Sequence, residues 1–253
     1  MNSFLREIFD SNSVRDENGN KVELHSSIHV EEIEFISNII KTHHLSRAVE
    51  VGCAMGISSL AIADAINGTS GSFHHILDPN QQSQWKNIGV NNLRKAGFQN
   101  FNLIEDYSEF ALPRLVREGV KVNFGFIDGW HTFDHTLLDF FYINRMLETG
   151  GVIVIDDVHM PAVNRAIRYI YNYPCYQYIG KVKNEDLTSN RKLFDRAAKV
   201  FSGLKYLTGA KVAAELFNSK LLKSDKHLNL DCSMIAFKKI AADERDWNWY
   251  ENF

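Results

Sequence analysis

Val49-Glu50-Val51-Gly52-Cys53-Ala54-Met55-Gly56-Ile57-Ser58 is the stretch that decides the fold. Its lead-in, Arg47 to Val51, is short and mostly apolar, as a buried strand is. Gly52 and Gly56 then let the backbone bend tightly and approach a ligand. Ser58 is placed to cap a helix carrying Leu60, Ile62, Ala63 and Ile66, which stops at Asn67-Gly68. A strand, a tight turn and a helix N-terminus in that order begin a βαβ unit.

The same grammar repeats outward. Phe73 to Leu77, Phe101 to Ile104, Val122 to Ile127 and Gly151 to Ile155 read as buried strands, and the segments between them have helical spacing. One of these helices runs from about Thr132 to Leu147 and ends at Thr149-Gly150-Gly151. Upstream, Ser26 to Glu32 starts a helix through Ile40, with Ser27 and Glu31 or Ser26 and His29 as cap partners. Downstream, Ala162 to Tyr171 reads as helix, and Tyr176 to Val182 and Ser233 to Phe237 as strands. The alternation predicts an α/β fold with a doubly wound, mostly parallel seven-stranded sheet and a helical insert before the last strand. The chain is read as one domain over 1–253, with 1–45 as an N-terminal helical cap and 184–230 as a helical insert or lid.

The 253 residues carry 28 Lys+Arg against 31 Asp+Glu, a net of −3, and 45% are apolar. Disorder of the bulk and a strongly basic nucleic-acid coat are thereby excluded, and nucleic acid is not expected as a partner. The charge is unevenly placed. Between Lys181 and Asp231 stand 11 basic and 6 acidic residues, a net of +5, which leaves 17 against 25, or −8, for the rest. Apolar positions such as Leu193, Phe194, Ala197 and Phe201 give the insert helical spacing. It reads as amphipathic surface helices with solvated lysines or, alternatively, as a lid or partner surface favouring an anionic ligand. Cys53, Cys175 and Cys232 are too few for a disulfide framework, the first ten residues place acids inside their apolar stretch, and no apolar run is long enough for a membrane helix. A cytoplasmic protein without membrane contact is expected. The aromatic tail Trp247-Asn248-Trp249-Tyr250-Glu251-Asn252-Phe253 is expected to dock on its own body or on a second subunit, and a homo-oligomer is expected.

Ligands of an open parallel sheet bind at the carboxyl ends of its strands. The first turn lacks the third glycine of a dinucleotide fingerprint, and Glu50 places a carboxylate where a pyrophosphate would be repelled. An acid there suits a cation, unless the turn holds only structural glycines and an incidental acid. Asp78 ends the second strand, 22 residues beyond Gly56, where a carboxylate can accept both hydroxyls of a ribose; before Pro79 it can equally be a turn residue. Together these signals indicate a nucleoside with a cationic arm, as in S-adenosylmethionine.

Glu50-x-Gly52-x-Ala54-x-Gly56-x-Ser58 followed by Asp78 resembles the cofactor-binding stretch of class I S-adenosylmethionine-dependent methyltransferases. The likeness continues through Leu103 to Pro113, Phe126 to His131 and Gly150 to Pro161. In that order the set is similar to catechol-type O-methyltransferases that need a divalent metal, and to sugar O-methyltransferases of antibiotic pathways. The resemblance implies a Rossmann-like methyltransferase fold, with Glu50, Gly52 and Ser58 on the methionine part and Ala54, Gly56 and Asp128 among the cofactor-binding residues. It further implies Asp78 on the ribose and Ser108 with Glu109 or Asp106 at the adenine edge. Such enzymes usually carry a small residue where Asp106 and Tyr107 stand, and Asp-Asn where Asp156-Asp157 stands.

Asp128 ends the fourth strand, and Asp156 and Asp157 end the fifth, with neighbouring strands about 4.8 Å apart. Three carboxylates so close either raise one another's pKa or hold a cation, for which Mg²⁺ or another divalent ion is expected. The other reading makes one of them a helix cap. His131 falls where the catechol-type enzymes carry a lysine, and as a free imidazole it can take a proton from an acceptor hydroxyl. His159, three residues after Asp156, is the second candidate base. Trp130 is expected beside cofactor or substrate. The function these readings imply is methyl transfer to a hydroxyl of a small molecule, a phenol, catechol or sugar. A metal-independent N- or O-methyltransferase is the near alternative. From another class, the alternative is a non-catalytic nucleotide-binding protein that recruits a partner through its basic insert.

Overall fold

The structure is a computed structural model describing residues 2–183 and 225–253. In chain order its elements are α1 (Ser3–Ser11), β1 (Ser13–Arg15), β2 (Lys21–Glu23), α2 (Val30–Thr42), β3 (Arg47–Val51), α3 (Ile57–Ile66), β4 (Phe73–Leu77), α4 (Ile88–Lys95), β5 (Phe101–Ile104), α5 (Ser108–Arg117), β6 (Val122–Ile127), α6 (Phe133–Met146), β7 (Leu147–Ile155), α7 (Pro161–Ile170), β8 (Tyr176–Lys183) and β9 (Cys232–Lys239). Seven strands form one sheet in the order β5-β4-β3-β6-β7-β9-β8, parallel except at β9, which runs against both neighbours. The expected α/β doubly wound architecture is present. Strands β1 and β2 form a separate hairpin, so the N-terminal cap is not purely helical.

Strand residues alternate between two cores, which is why the runs read as continuously apolar. Ala48, Phe124, Phe126, Val152 and Val154 pack with Leu5, Ile33, Ile36 and Leu60 on one face. Val49, Val51, Ile127, Ile153 and Ile155 pack with Leu112, Phe140, Ile143 and Ile167 on the other. The sheet is thus covered on both sides, by α1–α4 on the first face and α5–α7 on the second.

Three local expectations are corrected. Helix α2 is capped at His29, which forms a reciprocal capping box with Glu32 rather than one built on Ser26 or Ser27. Helix α3 begins after Gly56 in a left-handed conformation (φ +82°), and Ser58 lies inside the first turn with its hydroxyl donating to Glu50 Oε1 at 2.5 Å. Strand β7 starts at Leu147 instead of Gly151, because α6 ends at Met146 and Leu147 turns extended to pair with Val122 before a register shift.

The insert expected over 184–230 falls largely outside the described residues; its last part, from Asp225, is a turn that meets Arg168 at 2.5 Å and leads into β9. In the C-terminal tail, Trp249 packs on Tyr169 and Tyr173, and Phe253 stacks on Phe133 with centroids 6.2 Å apart. Arg245 lies over the rings of Tyr173 (3.5 Å) and Trp249 (4.5 Å) while paired with Asp243. Trp247 and Tyr250 point outward at 92% and 65% exposure. Among the described residues no helix is long and apolar enough to cross a membrane.

Candidate functional site

Strand order reverses beside β3: β4 and β5 extend the sheet to one side, and β6 returns to the other edge of β3. Two loops meet at this switch point, and the meeting explains Gly52. A Cβ on Gly52, whose φ is +94°, would lie 2.0 Å from the carbonyl oxygen of Asp128, so only glycine lets the β3–α3 turn pass the end of β6. Backbone pairing continues one residue beyond each strand. The amide of Asp78 donates to Ile104, that of Asp128 to Val51 and that of Asp156 to Ile127. Three acids that are far apart in sequence are thereby set at the same edge of the sheet.

They line a cleft of about 750 Å³ whose walls come from residues 26–32, the β3–α3 turn and the loops after β4, β5, β6 and β7. Seven lining side chains are carboxylic acids (Glu32, Asp78, Asp106, Glu109, Asp128, Asp156 and Asp157), four are histidines (His29, His131, His135 and His159), and among the described residues no lysine or arginine lines it. Burial, reinforced by Asp156 and Asp157, holds the Asp128 carboxyl well above the usual carboxylate range. Burial and then Glu32 raise that of Asp156 in the same direction. Such a cleft favours a cation, because positive charge relieves both the repulsion and the desolvation.

Asp128, His131 and Asp157 each offer one ligand atom within 4.8 Å of the others. His131 Nδ1 stands 3.4 Å from Asp157 Oδ2, and its Nε2 stands 3.9 Å from Asp128 Oδ1. One imidazole gives one ion a single nitrogen; with Nδ1 as that donor, the 3.4 Å to Asp157 Oδ2 matches two donors about 2.1 Å from one ion, which lie about 3–4 Å apart at octahedral angles. The side-chain nitrogen His159 Nδ1, buried and without a hydrogen-bond partner, lies 3.6 Å from Asp157 Oδ1. His131 (φ +47°) and Asp157 (φ +53°) both hold left-handed backbone conformations that disfavour residues with a Cβ. Asp156 is set back, 8% exposed, with Oδ1 accepting the amide of Asp157 at 2.8 Å. The helix-cap reading of the acids is not what the structure has. Helix α7 starts with Met160 and Pro161 and no side-chain cap, and Thr132 caps α6.

The residues around the first turn are arranged otherwise than the sequence suggested. Glu50 does not reach the cleft. Fully buried beneath it, its carboxylate accepts from Ser58 and Ser59 at 2.5 and 2.7 Å and sits 3.0 Å from His74 Nε2. Gly56 also stays out of the lining and packs on Gly89, where a Cβ would lie 2.7 Å from the Gly89 Cα. Ser58 and Ala54 do line the cleft. Asp78 lines it too, but its carboxylate already holds the turn: Oδ2 accepts from the amides of Cys53 and Ala54 and from Gln81 Nε2, and Oδ1 from the amide of Asn80. With about two lone-pair directions on each carboxylate oxygen, Oδ1, which accepts from the Asn80 amide, keeps one for a ligand hydroxyl. Gln81 braces the same turn by donating to the Ala54 carbonyl at 2.7 Å.

On the β5–β6 side, Tyr107 stacks on Trp130 (centroids 5.9 Å, 19° between planes), and Trp130 is 57% exposed at the mouth of the cleft. Asp106 accepts the amide of Tyr107 and faces Arg114 at 3.8 Å. Ser108 hydrogen-bonds Asp139, a residue buried to 1% whose carboxyl is pushed up to about 7 by burial, partly opposed by that hydrogen bond. Glu109 faces His135 Nε2 at 3.9 Å. His135, Glu32 and Asp139 were missed in the sequence. Glu32 was within reach of a capping-box reading shifted by one residue, and His135 and Asp139 lie one and two turns into α6 on the face that Thr132 begins.

Residues 49–158 match a family described as "Methyltransferase domain". Solved structures with the same fold include the O-methyltransferase from Bacillus cereus in complex with SAH (16% identity, TM-score 0.60, covering 74% of this chain and 87% of that one). They also include the O-methyltransferase TomG from Streptomyces achromogenes, involved in tomaymycin synthesis, in complex with SAM (16%, 0.56, 72% and 84%). A third is an SAH-bound methyltransferase from Podospora anserina (16%, 0.55, 71% and 83%). No curated protein matches the chain at a significant level. Residues 49–158, which hold the switch-point turn and every acid at the strand ends, are thus similar to a methyltransferase domain, in a chain whose fold is that of solved SAM- and SAH-bound methyltransferases.

Proposed function

We propose that the chain transfers the methyl group of S-adenosylmethionine to a hydroxyl of a small phenol, catechol or sugar, with a divalent cation as second cofactor. The observation that carries this reading is the cleft at the switch point, lined by seven carboxylic acids and no lysine or arginine among the described residues, with Asp128, His131 and Asp157 converging at its floor. The sulfonium is a cation, and the acids supply its counter-charge. Asp78 takes one ribose hydroxyl at the free position of Oδ1, Ser58 and the turn amides face the methionine part, and Asp106, Ser108 and Glu109 edge the adenine. The Tyr107–Trp130 pair closes the mouth over cofactor or acceptor.

Asp128 and Asp157, with Asp156 behind them, are the carboxylates that would hold the ion. A divalent ion bound there lowers the pKa of a hydroxyl that reaches it, which matters because a free phenol near pKa 10 is ionised to only about one part in a thousand at pH 7. S-adenosylmethionine held by Ser58, Asp78 and the turn amides would supply the methyl group to the acceptor oxygen, and the hydroxyl proton would pass to an imidazole. His131 and His159, on two sides of Asp157, are the bases within reach. Positioning supplies much of the rate, since well-oriented partners reach effective molarities of about 10⁵–10⁸ M.

Calorimetry with S-adenosylhomocysteine and turnover of a catechol panel with and without EDTA test the proposal. Binding of the product and loss of turnover on chelation are expected. Absence of product binding would overturn the methyltransferase activity, and turnover unaffected by EDTA would overturn the metal.

A further inference from the structure

We infer that His131 is itself a ligand of the divalent ion, beside Asp128 and Asp157, in the place that three carboxylates alone would otherwise fill. This rests on the metal-dependent reading above and assigns to this chain's own histidine a part that reading does not. Three observations carry it. The three side chains converge within 4.8 Å, while Asp156 stands back with Oδ1 committed to the Asp157 amide. The imidazole lies between the two carboxylates: its Nδ1 stands 3.4 Å from Asp157 Oδ2, within the span of two ligands on one ion, and its other nitrogen faces Asp128 at 3.9 Å. Both His131 and Asp157 keep left-handed backbone conformations, at φ +47° and +53°. Such backbone strain clusters at ligand clamps.

The consequence is chemical. An all-oxygen set suits Mg²⁺, whereas a set with one imidazole binds first-row transition ions such as Mn²⁺ and Co²⁺ through a nitrogen donor. The assignment also separates the two histidines. His131 gives one nitrogen to the ion, and His159, which lies outside the converging set, does not.

The test uses the full chain loaded with Mn²⁺ and pulsed electron paramagnetic resonance, which detects the ¹⁴N of a directly bound imidazole, together with calorimetric titration of Co²⁺ and Mg²⁺. The nitrogen coupling is expected in the unaltered protein and in His159→Gln, and is expected to vanish in His131→Gln. In His131→Gln the Co²⁺ affinity should fall about tenfold or more, while Mg²⁺ affinity changes much less. Retained binding of S-adenosylhomocysteine shows that His131→Gln is folded. The inference is overturned if bound Mn²⁺ shows no nitrogen coupling, if the coupling survives His131→Gln, or if His159→Gln removes it instead. Should none of the three ions bind the unaltered protein, the metal-dependent reading falls as well, and calorimetry alone reports that.

Discussion

Replacing Gly52 by alanine tests whether the close approach at the switch point is what sets the acids of the cleft. The added Cβ would stand 2.0 Å from the Asp128 carbonyl oxygen and 2.8 Å from its carbon, against an ordinary contact of about 3.4 Å or more. The end of β6 must therefore shift by roughly 1 Å or the turn must open, at a cost of about 1–3 kcal/mol for overpacking. A further 1–3 kcal/mol or so comes from holding a non-glycine residue at φ +94°. Gly119→Ala isolates the second part, since Gly119 has φ +77° and open space around its missing Cβ. The two variants should differ by about 2 kcal/mol, or roughly 4–8 °C in Tm for a chain of this size. Thermal unfolding followed by circular dichroism measures the difference, and calorimetry of divalent-ion binding measures the displacement of Asp128. Equal Tm values for the two variants, or a Gly52→Ala protein that binds the ion as the unaltered one does, would refute the reasoning.

Two further predictions concern stability. Burial pushes the Asp139 carboxyl, which faces Ser108, His135 and Glu109, up to about 7 in the folded state, against 3.8 for a free aspartate. Its contribution is therefore complete below the unfolded value and is lost as pH rises through 7. Asp139→Asn should flatten that decline and leave the variant more stable at pH 8 by up to about 4 kcal/mol, with little difference at pH 4, as read by urea unfolding at the two pH values. Arg245→Ala removes the cation between Tyr173 and Trp249 and the partner of Asp243, so it should cost about 1–3 kcal/mol and speed proteolysis of residues 246–253. A tail cleaved no faster than before would show that these contacts do not hold it.

The bounds of β3, β4, β5 and β6 were legible because each is flanked on one side by glycine, asparagine or aspartate (Gly52, Asp78, Asn100 and Asp128), and β3, β4 and β6 are mostly buried. Helix starts were less so. The caps of α2 and α3 depend on which of several adjacent polar residues turns back onto the backbone, and burial elsewhere decides that. Ser58 is drawn to Glu50, and Gly56 is held at the N-terminus of α3 by its contact with Gly89. The order of acids in the chain was likewise visible, but their division of labour was not. Glu50 alternates with Val49 and Val51, and one step of that alternation sends its carboxylate under the cleft to Ser58, Ser59 and His74.

What the sequence by itself determined is the alternation of strands and helices, the glycine turn, and the list of acids and histidines at strand ends. These follow from periodicity and local backbone chemistry. What only the tertiary structure decided is which of them meet. Strand order places β6 against β3, and backbone pairing one residue past each strand sets Asp78, Asp128 and Asp156 at one edge. Left-handed backbone at His131 and Asp157 then turns an imidazole and a carboxylate toward Asp128, whereas Asp156 folds back on its neighbour's amide. Such convergence depends on contacts between residues far apart in the chain and on side-chain direction, and neither is written in local spacing.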